Sequence, residues 1–355
     1  MKIAVLNDTH CGCRSSSDIF IEYQERFYSE VFFPYLREHG IKNIIHLGDY
    51  YEDRKRINVK AMYSNRKHFL DVLKSEGISM DIIPGNHDVF YKSTNDMCTL
   101  KELLGYYTNN VNIVMKPQVL DYDGLKIGLL PWINPQNYED SMKFLKSCDA
   151  EWIGAHLELN GFEMMRGVVN SHGMDIKPFE RFDKVLTGHF HTKSSKGNIH
   201  YLGSQMEFTW ADAEDPKYFH VIDTDKKDFT SVRNPLTIFQ KLTYTDDVDV
   251  ERFDFSEVEN KFVKLIVTSR KDSKRFDKFV HDLERCGVHE LKIADSFDEF
   301  RGSNVTEGEE VSVTVEDTPK LLDAYVDSVD TDLDKDKMKV IMRELYVEAS
   351  SQEVV

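Results

Sequence analysis

The stretch 43-NIIHLGDYYEDRKR-56 decides the fold, because it holds an apolar run that ends in Gly48-Asp49. Such a run is typical of a buried strand, and the glycine lets the backbone turn tightly before the carboxylate. Two further runs end in a similar way, 3-IAVLNDTH-10 before it and 81-DIIPGNHD-88 after it. Each of the three therefore predicts a strand followed by a loop with polar side chains.

Two amphipathic stretches separate these strands, residues 20–39 and residues 59–76. Their apolar positions recur at helical spacing, so the order of elements is β-α-β-α-β. This order predicts a largely parallel sheet covered by helices. Because the carboxyl ends of neighbouring parallel strands meet at one edge of an open sheet, we expect the polar residues after the strands to lie together.

The second half of the main domain has strands without long helices between them. The predicted strands are residues 125–130, 152–155, 185–186, 199–202 and 219–222. Together with the first sheet they indicate two layers of strands flanked by helices. The predicted fold class is therefore α/β, with a four-layer α-β-β-α domain.

Changes of pattern and composition further along the chain predict four parts, of which the main domain is the first. The predicted parts are a main domain at 1–241, a small α/β capping domain at 242–294, an acidic linker at 295–317 and a helical hairpin at 318–350. The hairpin is too small to be stable alone, so it packs on its own chain or on a partner. Its position after a charged linker favours a partner, and the apolar residues predicted to contact it are Leu321, Leu322, Tyr325, Met338, Ile341, Met342 and Leu345.

Composition limits the classes of protein that fit. The 355 residues include 41% hydrophobic and 12% aromatic residues, enough for a large core, and the net charge is -17. So acidic a chain does not favour a polyanionic partner, although local basic loops can still contact one. The five cysteines lack the paired spacing of a zinc module, and no apolar run approaches the roughly 18 residues of a membrane span. We therefore expect a cytoplasmic protein without a membrane partner.

Five clusters supply ligands for two adjacent divalent metals, and each lies at a predicted strand end. The candidate ligands are Asp8, His10, Asp49, Asn86, His156, His189 and His191. A carboxylate has two oxygens, so Asp49 can bridge two ions that lie about 3.5–4 Å apart. Each cluster alone is more often a surface loop, but the ordered set predicts a dinuclear site. Mixed oxygen and nitrogen ligands suit Mn²⁺, Fe²⁺ or Zn²⁺.

The chemistry of such a site is attack on a phosphate ester. Two cations polarise the phosphoryl oxygens and lower the pKa of a bridging water. His87 directly follows a ligand, and from there it can protonate the leaving alkoxide as a general acid. Asp88 is the predicted partner that orients His87.

The order D-x-H, G-D, G-N-H-[DE], H and G-H-x-H resembles the calcineurin-like metallophosphoesterase superfamily over residues 1 to about 240. The parts that follow, a small β-α-β module, a linker and a terminal helical hairpin, resemble the SbcD-type recombination and repair nucleases. Within that group, residues 156–162, 171–173, 188–192 and 345–349 resemble the nucleases of T-even-like bacteriophages.

The resemblance implies a DNA nuclease of recombination and double-strand break repair, active in the cytoplasm of a phage-infected host. It implies a 3′-5′ exonuclease on double-stranded DNA ends with endonuclease activity, two Mn²⁺ ions (alternatives Mg²⁺, Fe²⁺ or Zn²⁺), a homodimer, and an SbcC-type coiled-coil ABC ATPase bound by the C-terminal helices. By the same resemblance, one metal takes Asp8, His10, Asp49 and His191. The other shares Asp49 and takes Asn86, His156 and His189.

One position departs from the family pattern. Cellular members have a histidine three residues after the bridging aspartate, where it is thought to stabilise the transition state, and here that residue is Glu52. A carboxylate cannot stabilise growing negative charge on phosphate. Either a cation of the segment 54-RKR-56 takes this task, or the step is slower without a partner.

Basic residues near the clusters are candidates for contacts with DNA phosphates, which position a duplex without reading its bases. The candidates are Arg14, Arg54, Lys55, Arg56, Lys92 and Lys193. Solvated surface charge is the alternative for each of them.

Two other functions fit parts of the sequence. A small-molecule phosphatase or cyclic-nucleotide phosphodiesterase would use the same metal core but would leave the architecture after residue 241 without a role. A non-catalytic scaffold would keep the fold, but such proteins are expected to lose ligands, and the seven candidate positions are intact.

Overall fold

The computed structural model describes residues 1–107, 109–165, 168–295, 322–323, 326–327 and 334–351. The chain divides into two compact units. Unit 1 comprises Met1–Phe208 and Asp215–Leu236, and unit 2 comprises Thr209–Glu214 and Thr237–Val355. The predicted boundary after Lys241 thus lies inside unit 2, because the strand that contains Lys241 pairs with the next strand of that unit.

The strands of unit 1 form two six-stranded sheets and one short pair. In chain order they are β1 (Lys2–Leu6), β2 (Asn43–His46), β3 (Ser79–Ile82), β4 (Val111–Ile113), β5 (Gln118–Tyr122), β6 (Leu125–Leu130), β7 (Trp152–His156), β8 (Glu163–Met165), β9 (Val168–Val169), β10 (Lys184–Gly188), β11 (Ser194–Lys196), β12 (Ile199–Tyr201), β13 (Tyr218–Asp223) and β14 (Asp228–Arg233).

The first sheet has the order β14-β13-β1-β2-β3-β4, and β1 to β4 are parallel to one another, as predicted. The second sheet has the order β11-β12-β10-β7-β6-β5, with β6, β7, β10 and β12 parallel. Both sheets therefore direct a set of strand carboxyl ends to one edge.

The helical segments of unit 1 lie between the strands in sequence. They are the short turn α1 (Cys13–Ser16), α2 (Asp18–Arg26), α3 (Phe33–His39), α4 (Val59–Asn65), α5 (Asp71–Glu76), α6 (Thr99–Leu104) and α7 (Tyr138–Ser147). A π-helical segment, Phe27–Phe32, joins α2 to α3, and another, Arg66–Leu70, joins α4 to α5. The amphipathic stretches 20–39 and 59–76 are thus confirmed as nearly continuous helices. Single 3₁₀ turns are Gly105–Tyr107 and Lys177–Phe179.

The core of unit 1 has the predicted four layers. Between the sheets, Ile3 and Ile45 of the first pack with Leu129, Trp152 and Leu186 of the second. On the outer face of the second sheet, strand residues pack with the buried side of α7 and the segment after it. On the outer face of the first sheet, aromatic residues of the long helices contact Phe219 of β13.

Unit 2 contains a parallel three-stranded sheet in the order β15 (Phe239–Tyr244), β16 (Phe262–Val267), β17 (Glu290–Asp295). Helix α8 (Ser273–Arg285) connects β16 to β17, as the predicted β-α-β module requires, and its buried face packs on the sheet. The unit also has the 3₁₀ turns Trp210–Asp212 and Phe255–Glu257.

Helix α9 (Lys335–Ser351) is the second helix of the predicted hairpin. Of the first, residues 322–323 and 326–327 are described and helical. Ion pairs join the two segments, with Lys339 2.7 Å from Asp327 and Arg343 Nε 3.0 Å from Asp323 Oδ1. Residues 296–317 of the predicted acidic linker lie outside the described residues. In the part of the chain that the structure describes, no helix is both long and apolar enough to cross a membrane.

Candidate metal centre

The seven candidate ligands lie at the carboxyl ends of five strands. Loops after β1, β2 and β3 carry the first four, β7 ends in His156, and His189 and His191 follow β10. Backbone hydrogen bonds join the first two loops, from Asp8 N to Gly48 O (2.9 Å) and from His10 N to Asp49 O (3.1 Å). The parallel order of the strands therefore brings together residues that are far apart in sequence.

Four of these residues have a left-handed backbone, with φ of 48° at Asp8, 43° at His10, 52° at Asp49 and 90° at His189. Such values are rare outside glycine, because the side chain then crowds its own backbone. They turn the chain sharply at the strand end. Unfavourable backbone conformations cluster at binding and catalytic sites, where the surrounding structure holds them in place.

Gly85 explains how Asp49 reaches its position. A Cβ atom built on Gly85 would lie 2.8 Å from Asp49 Cγ, closer than side chains approach one another. The loop after β3 can therefore pass the Asp49 carboxylate only because residue 85 has no side chain. The Gly-Asn-His-Asp motif thus supplies space as well as a ligand.

Among the described residues, potential donor atoms form three groups: one joins Glu52 and His87 to His10, and the other two consist of predicted ligands. Those of Asp8, His10 and His191 lie within 4.8 Å of one another, and so do those of Asp49, His156 and His189. Asp49 Oδ2 lies between the groups, 3.2 Å from His156 Nε2 and 3.9 Å from His10 Nε2. Asp49 Oδ1 instead accepts a hydrogen bond from the backbone N–H of His87 (2.7 Å). The prediction used both Asp49 oxygens as bridging atoms, whereas in the structure Oδ2 is the one that lies between the groups.

Asn86 completes the second group. Its Oδ1 lies 3.0 Å from His156 Nε2 and 2.9 Å from His189 Nδ1. In the first group, His10 Nε2 and His191 Nε2 are 3.1 Å apart. Ring nitrogens and amide or carboxylate oxygens thus converge at contact distance, an arrangement typical of donors directed at cations.

The electrostatics of the site also favour positive charge. Burial lowers the pKa of His10, but the carboxylates of Glu52, Asp49 and Asp8 outweigh it and raise the pKa to about 10. Burial likewise opposes protonation of His156, and Asp49 above all raises its pKa to about 9. The carboxylates thus stabilise positive charge at His10 and His156, whereas burial holds the pKa of His189 well below its usual value.

The donor set fits two divalent ions. The oxygen and nitrogen donors match the preferences of Mn²⁺, Fe²⁺ or Zn²⁺. The nearby thiols do not enter the site as thiolates, since Cys11 and Cys13 are buried, and burial raises the pKa of Cys11 to about 12. The chain therefore carries a candidate dinuclear divalent metal centre built from the seven residues named in the sequence.

The predicted partnership of His87 with Asp88 is wrong. The Asp88 carboxylate accepts hydrogen bonds from the backbone N–H groups of Tyr50 (3.0 Å), Tyr51 (3.1 Å) and Gly85 (2.9 Å). Its role is to join the loop after β2 to the loop after β3. Buried backbone N–H groups need acceptors, and this buried carboxylate supplies them.

Glu52, rather than Asp88, accepts a hydrogen bond from the His87 ring. The Nδ1–H group of His87 donates to the backbone carbonyl of Glu52 at 2.6 Å. The Glu52 carboxylate lies 2.5 Å from His10 Nδ1. The sequence marked position 52 only by its departure from the family pattern, and no spacing rule predicts a contact through a backbone carbonyl.

Two aromatic residues beside the donors are not predicted from the sequence. The Trp132 ring lies 5.8 Å from the ring of His156 and 5.5 Å from that of His189, between centroids. The Phe208 ring lies 5.3 Å from His10. Neither belongs to a recognisable motif. They shield one side of each donor group, which limits the imidazoles' freedom to turn.

The basic candidates for DNA contact lie on the loops that carry donors or flank them. Lys55, Arg56, Lys92 and Lys193 are exposed, while Arg14 and Arg54 are half-buried. Lys193 Nζ donates to Ser231 Oγ at 2.7 Å, so it is held beside the loop after β10. Arg14 lies over the ring of Phe20.

The apolar residues predicted for a partner are only partly within the described residues. On α9, Ile341 and Leu345 are each 54% exposed, one helical turn apart. Met338 and Met342 of the same helix are half-buried, as is Leu322. Leu321 and Tyr325 lie outside the described residues.

Comparison with known proteins agrees with the motifs. Residues 1–193 match the family described as calcineurin-like phosphoesterase. The chain is 30% identical over 352 residues to exonuclease subunit 1 of enterobacteria phage T4, covering 99% of this chain and 100% of that protein. A solved archaeal phosphodiesterase aligns with 66% of this chain and 100% of its own, at a TM-score of 0.35 and 15% identity, a likeness too low to carry an argument. The family match covers more than half of the chain and the phage protein matches from end to end, so the chain belongs to the calcineurin-like phosphoesterase family.

Proposed function

We propose that this phosphoesterase is a nuclease that hydrolyses double-stranded DNA, as a 3′-5′ exonuclease from ends and as an endonuclease, with Mn²⁺ as its metal. The observation that carries the proposal is the convergence of two donor groups on Asp49 Oδ2. Two divalent ions held by these groups would be suited to displacement at phosphorus.

Each donor group has the residues for one ion. Asp8, His10 and His191 would hold the first, and Asn86, His156 and His189 the second, with Asp49 shared between them. When bound, such a pair supplies Lewis acidity toward the phosphate and a water of lowered pKa. The left-handed loops present these donors from a rigid sheet edge, so little rearrangement is needed when metal binds.

His87 is the proposed general acid. Its Nδ1–H is engaged by the Glu52 carbonyl at 2.6 Å, so Nε2 is the nitrogen that takes up and releases a proton. Its backbone N–H binds Asp49 Oδ1, which fixes the residue beside the shared carboxylate. A proton held there is within reach of a leaving 3′ or 5′ oxygen on a phosphate in the site.

DNA is favoured over a small phosphate ester by the end-to-end match to a protein named as an exonuclease subunit. That match includes unit 2, which a small-molecule phosphatase would not use. That relative is named as a subunit, which supports a partner for this chain as well. We propose that the partner is an SbcC-type coiled-coil ABC ATPase bound by α9, with its exposed Ile341 and Leu345. With that partner and a second copy of the chain, the nuclease would act on broken ends in recombination and repair, in the cytoplasm of an infected host.

DNA affinity is proposed to depend on these assembly partners. The net charge of -17 opposes binding of the free chain to a duplex. The basic residues near the site, Arg14, Arg54, Lys55, Arg56, Lys92 and Lys193, would position phosphates locally. Tight binding of duplex DNA by the isolated monomer at physiological salt would contradict this part of the proposal.

The test compares two substrates on the purified protein with Mn²⁺: a linear duplex labelled at either end, and an aryl phosphate ester. We expect the duplex to be degraded from its 3′ ends and the small ester to be hydrolysed far more slowly. His87→Ser should lower cleavage by about 100-fold or more, within the range of general acid catalysis, while metal binding stays normal. The exposed His39→Ser is the matched control. Rapid hydrolysis of the small ester without DNA cleavage would refute the nuclease and favour a phosphatase.

The partner is tested separately by co-purification with a coiled-coil ATPase. Deletion of residues 318–355 should abolish co-purification, and so should Ile341→Asp combined with Leu345→Asp. Lys337→Gln on the same helix is the control, because Lys337 is exposed and not apolar. Retained co-purification of the double variant would exclude the apolar face of α9 as the contact.

A further inference from the structure

Glu52 contacts two different histidines of the site through two different groups. Its carboxylate Oε2 lies 2.5 Å from His10 Nδ1, and its backbone oxygen lies 2.6 Å from His87 Nδ1. The rings of His10 and His87 stand almost perpendicular, at 86° with centroids 5.0 Å apart. One residue thus contacts both imidazoles, at Nδ1 of each ring.

The backbone of Glu52 is itself fixed. Its N–H donates to Cys11 O at 3.1 Å, and Cys11 N donates back to Tyr50 O at 2.8 Å. The loop after β2 is therefore paired with the loop after β1, which carries His10. Because both loops are tied together, the position of residue 52 relative to His10 is set by main-chain hydrogen bonds.

These contacts decide which nitrogen of each ring is available. The Glu52 carbonyl only accepts hydrogen bonds, so the proton of His87 lies on Nδ1. At His10, the negative carboxylate 2.5 Å from Nδ1 favours a proton on that nitrogen as well. His10 Nε2 then faces the donors, 3.1 Å from His191 Nε2 and 3.9 Å from Asp49 Oδ2. His156 is arranged alike, with Nδ1 2.8 Å from the carbonyl of Leu47 and Nε2 toward Asp49. Metal-binding histidines are commonly oriented in this manner by a partner at the other nitrogen.

We propose that Glu52 is a positioning residue: its carboxylate orients His10 as a metal ligand through Nε2, while its backbone carbonyl orients His87 as the proton donor. This inference rests on the proposed function and deepens it. It assigns a role to the acidic residue that stands where cellular relatives have a histidine. The two roles belong to different atoms, so a side-chain substitution affects the first and leaves the second intact.

The alternative roles of Glu52 fit the geometry less well. A direct contact with phosphate is disfavoured, since two negative groups repel. Glu52, His10 and His87 form a group that could hold an ion. Ligation of the first ion by Glu52 is disfavoured, because Oε2 lies at His10 Nδ1, whereas the donor atoms of the first group lie at Nε2 of that ring. The Glu52 side chain is 33% exposed, so water reaches it.

The experiment measures Mn²⁺ binding by calorimetry and by the spin-coupled electron paramagnetic resonance signal of a Mn²⁺ pair. The wild type should bind two ions. Glu52→Ala should weaken Mn²⁺ binding at one of the two sites by about 10- to 100-fold, the range found for such supporting partners, and should reduce the signal of the Mn²⁺ pair. Glu52→Gln should stay within a few-fold of wild type, because its amide oxygen can occupy the position of Oε2 beside His10 Nδ1. Asp53→Asn removes a charge one residue away, where Asp53 binds only the Lys55 and Arg56 N–H groups, and should change nothing.

Activity at increasing Mn²⁺ separates positioning from proton transfer. Excess Mn²⁺ should restore the kcat of Glu52→Ala to within a few-fold of wild type, because the carbonyl that holds His87 remains. His87→Ser should not be restored at any concentration. If Glu52→Ala binds two ions normally yet stays inactive at saturating Mn²⁺, the inference is overturned.

Other outcomes distinguish the inference from the proposed function. Two Mn²⁺ ions in wild type with unchanged affinity in Glu52→Ala would overturn the inference alone. Fewer than two ions in wild type would overturn the proposed function and the inference with it. Equal losses in Glu52→Gln and Glu52→Ala would make Glu52 a direct ligand and refute positioning. Should Glu52→Ala fail to fold, ¹⁵N spectra of the Zn²⁺-loaded wild type decide: metal on Nδ1 of His10 would overturn the inference, and metal on Nε2 supports it.

Discussion

Substitution of Asp88 tests whether this residue serves catalysis or the structure of the site. Its buried carboxylate accepts three backbone N–H groups, from Tyr50 and Tyr51 at one oxygen and Gly85 at the other. Asp88→Asn keeps an acceptor for the first two but turns an NH₂ group toward the Gly85 N–H. One buried donor is then unsatisfied, which lowers the free energy of unfolding by about 1–3 kcal/mol.

Asp88→Ala leaves all three donors without a partner. By the same figure per group the loss is roughly 3–9 kcal/mol. Since a whole domain is stable by only about 5–15 kcal/mol, we expect little folded Asp88→Ala protein and a foldable Asp88→Asn. The asparagine variant is therefore the informative one.

The assay is urea unfolding of metal-free Asp88→Asn, followed by far-UV circular dichroism, with kcat measured at saturating Mn²⁺. The control is Asp121→Asn, whose exposed carboxylate accepts one backbone N–H, from Gly124 at 2.7 Å. We expect Asp88→Asn to lose stability and some Mn²⁺ affinity, because its two loops carry Asp49 and Asn86. The kcat should stay within about threefold of wild type, less than the roughly 100-fold effect of a lost proton-transfer group. Unchanged stability with a 100-fold lower kcat would refute this reasoning and would indicate that Asp88 orients His87 for proton transfer.

Three more predictions follow from particular contacts. Gly85→Ala should weaken Mn²⁺ binding at least tenfold by calorimetry, because its Cβ would lie 2.8 Å from Asp49 Cγ, whereas Gly105→Ala, with open space around it, should not. Burial lowers the pKa of His220 to about 4, below the unfolded value of about 6.5. The contribution of neutral His220 to stability is therefore complete above pH 6.5 and is lost as the pH falls toward 4. His220→Gln should reduce the difference in unfolding free energy between pH 7 and pH 5 by up to about 2 kcal/mol, from about 1.4 kcal/mol per pH unit. Chelation of both metals should lower the unfolding free energy by about 2.7 kcal/mol for each site that is held at 100 times its dissociation constant, or about 5.4 kcal/mol for two independent sites. No change in the melting temperature on chelation would contradict metal binding by the folded state.

Most of the fold could be predicted because its signals are local. The runs before Asp8, Asp49 and Asn86 are apolar and short, and the stretches between them have helical periodicity, so the parallel first sheet follows from the order of elements. The boundary near residue 241 was less accessible. Strand β15 contains Lys241 and belongs to unit 2 through pairing with β16, and pairing between distant segments has no local sequence signal.

The residues of the site also differ in whether a local sequence signal predicts them. The donor residues could be predicted because metal ligands are restricted to a few residue types at strand ends. Their supports could not, since they act through the main chain: Asp88 binds N–H groups of two loops, and Glu52 presents a carbonyl to His87. A sequence names side chains, so a role that depends on a neighbour's backbone becomes visible only in three dimensions. From the sequence alone, the adjacent Asp88 is the nearest candidate for the residue that orients His87.

The left-handed backbone at Asp8, His10, Asp49 and His189 has an evolutionary consequence. A residue with a side chain loses about 1–2 kcal/mol in that conformation, and glycine avoids most of this loss. Mutation to glycine at any of the four positions would relieve this backbone strain while it removes a donor, which is a conflict between stability and activity. At Asp8 and Asp49 the relief is offset, because each carboxylate also accepts a backbone N–H, from His189 and His87. In a lineage released from selection for hydrolysis, these positions would be among the first to change, and a related chain that had become a scaffold would carry glycine or asparagine there.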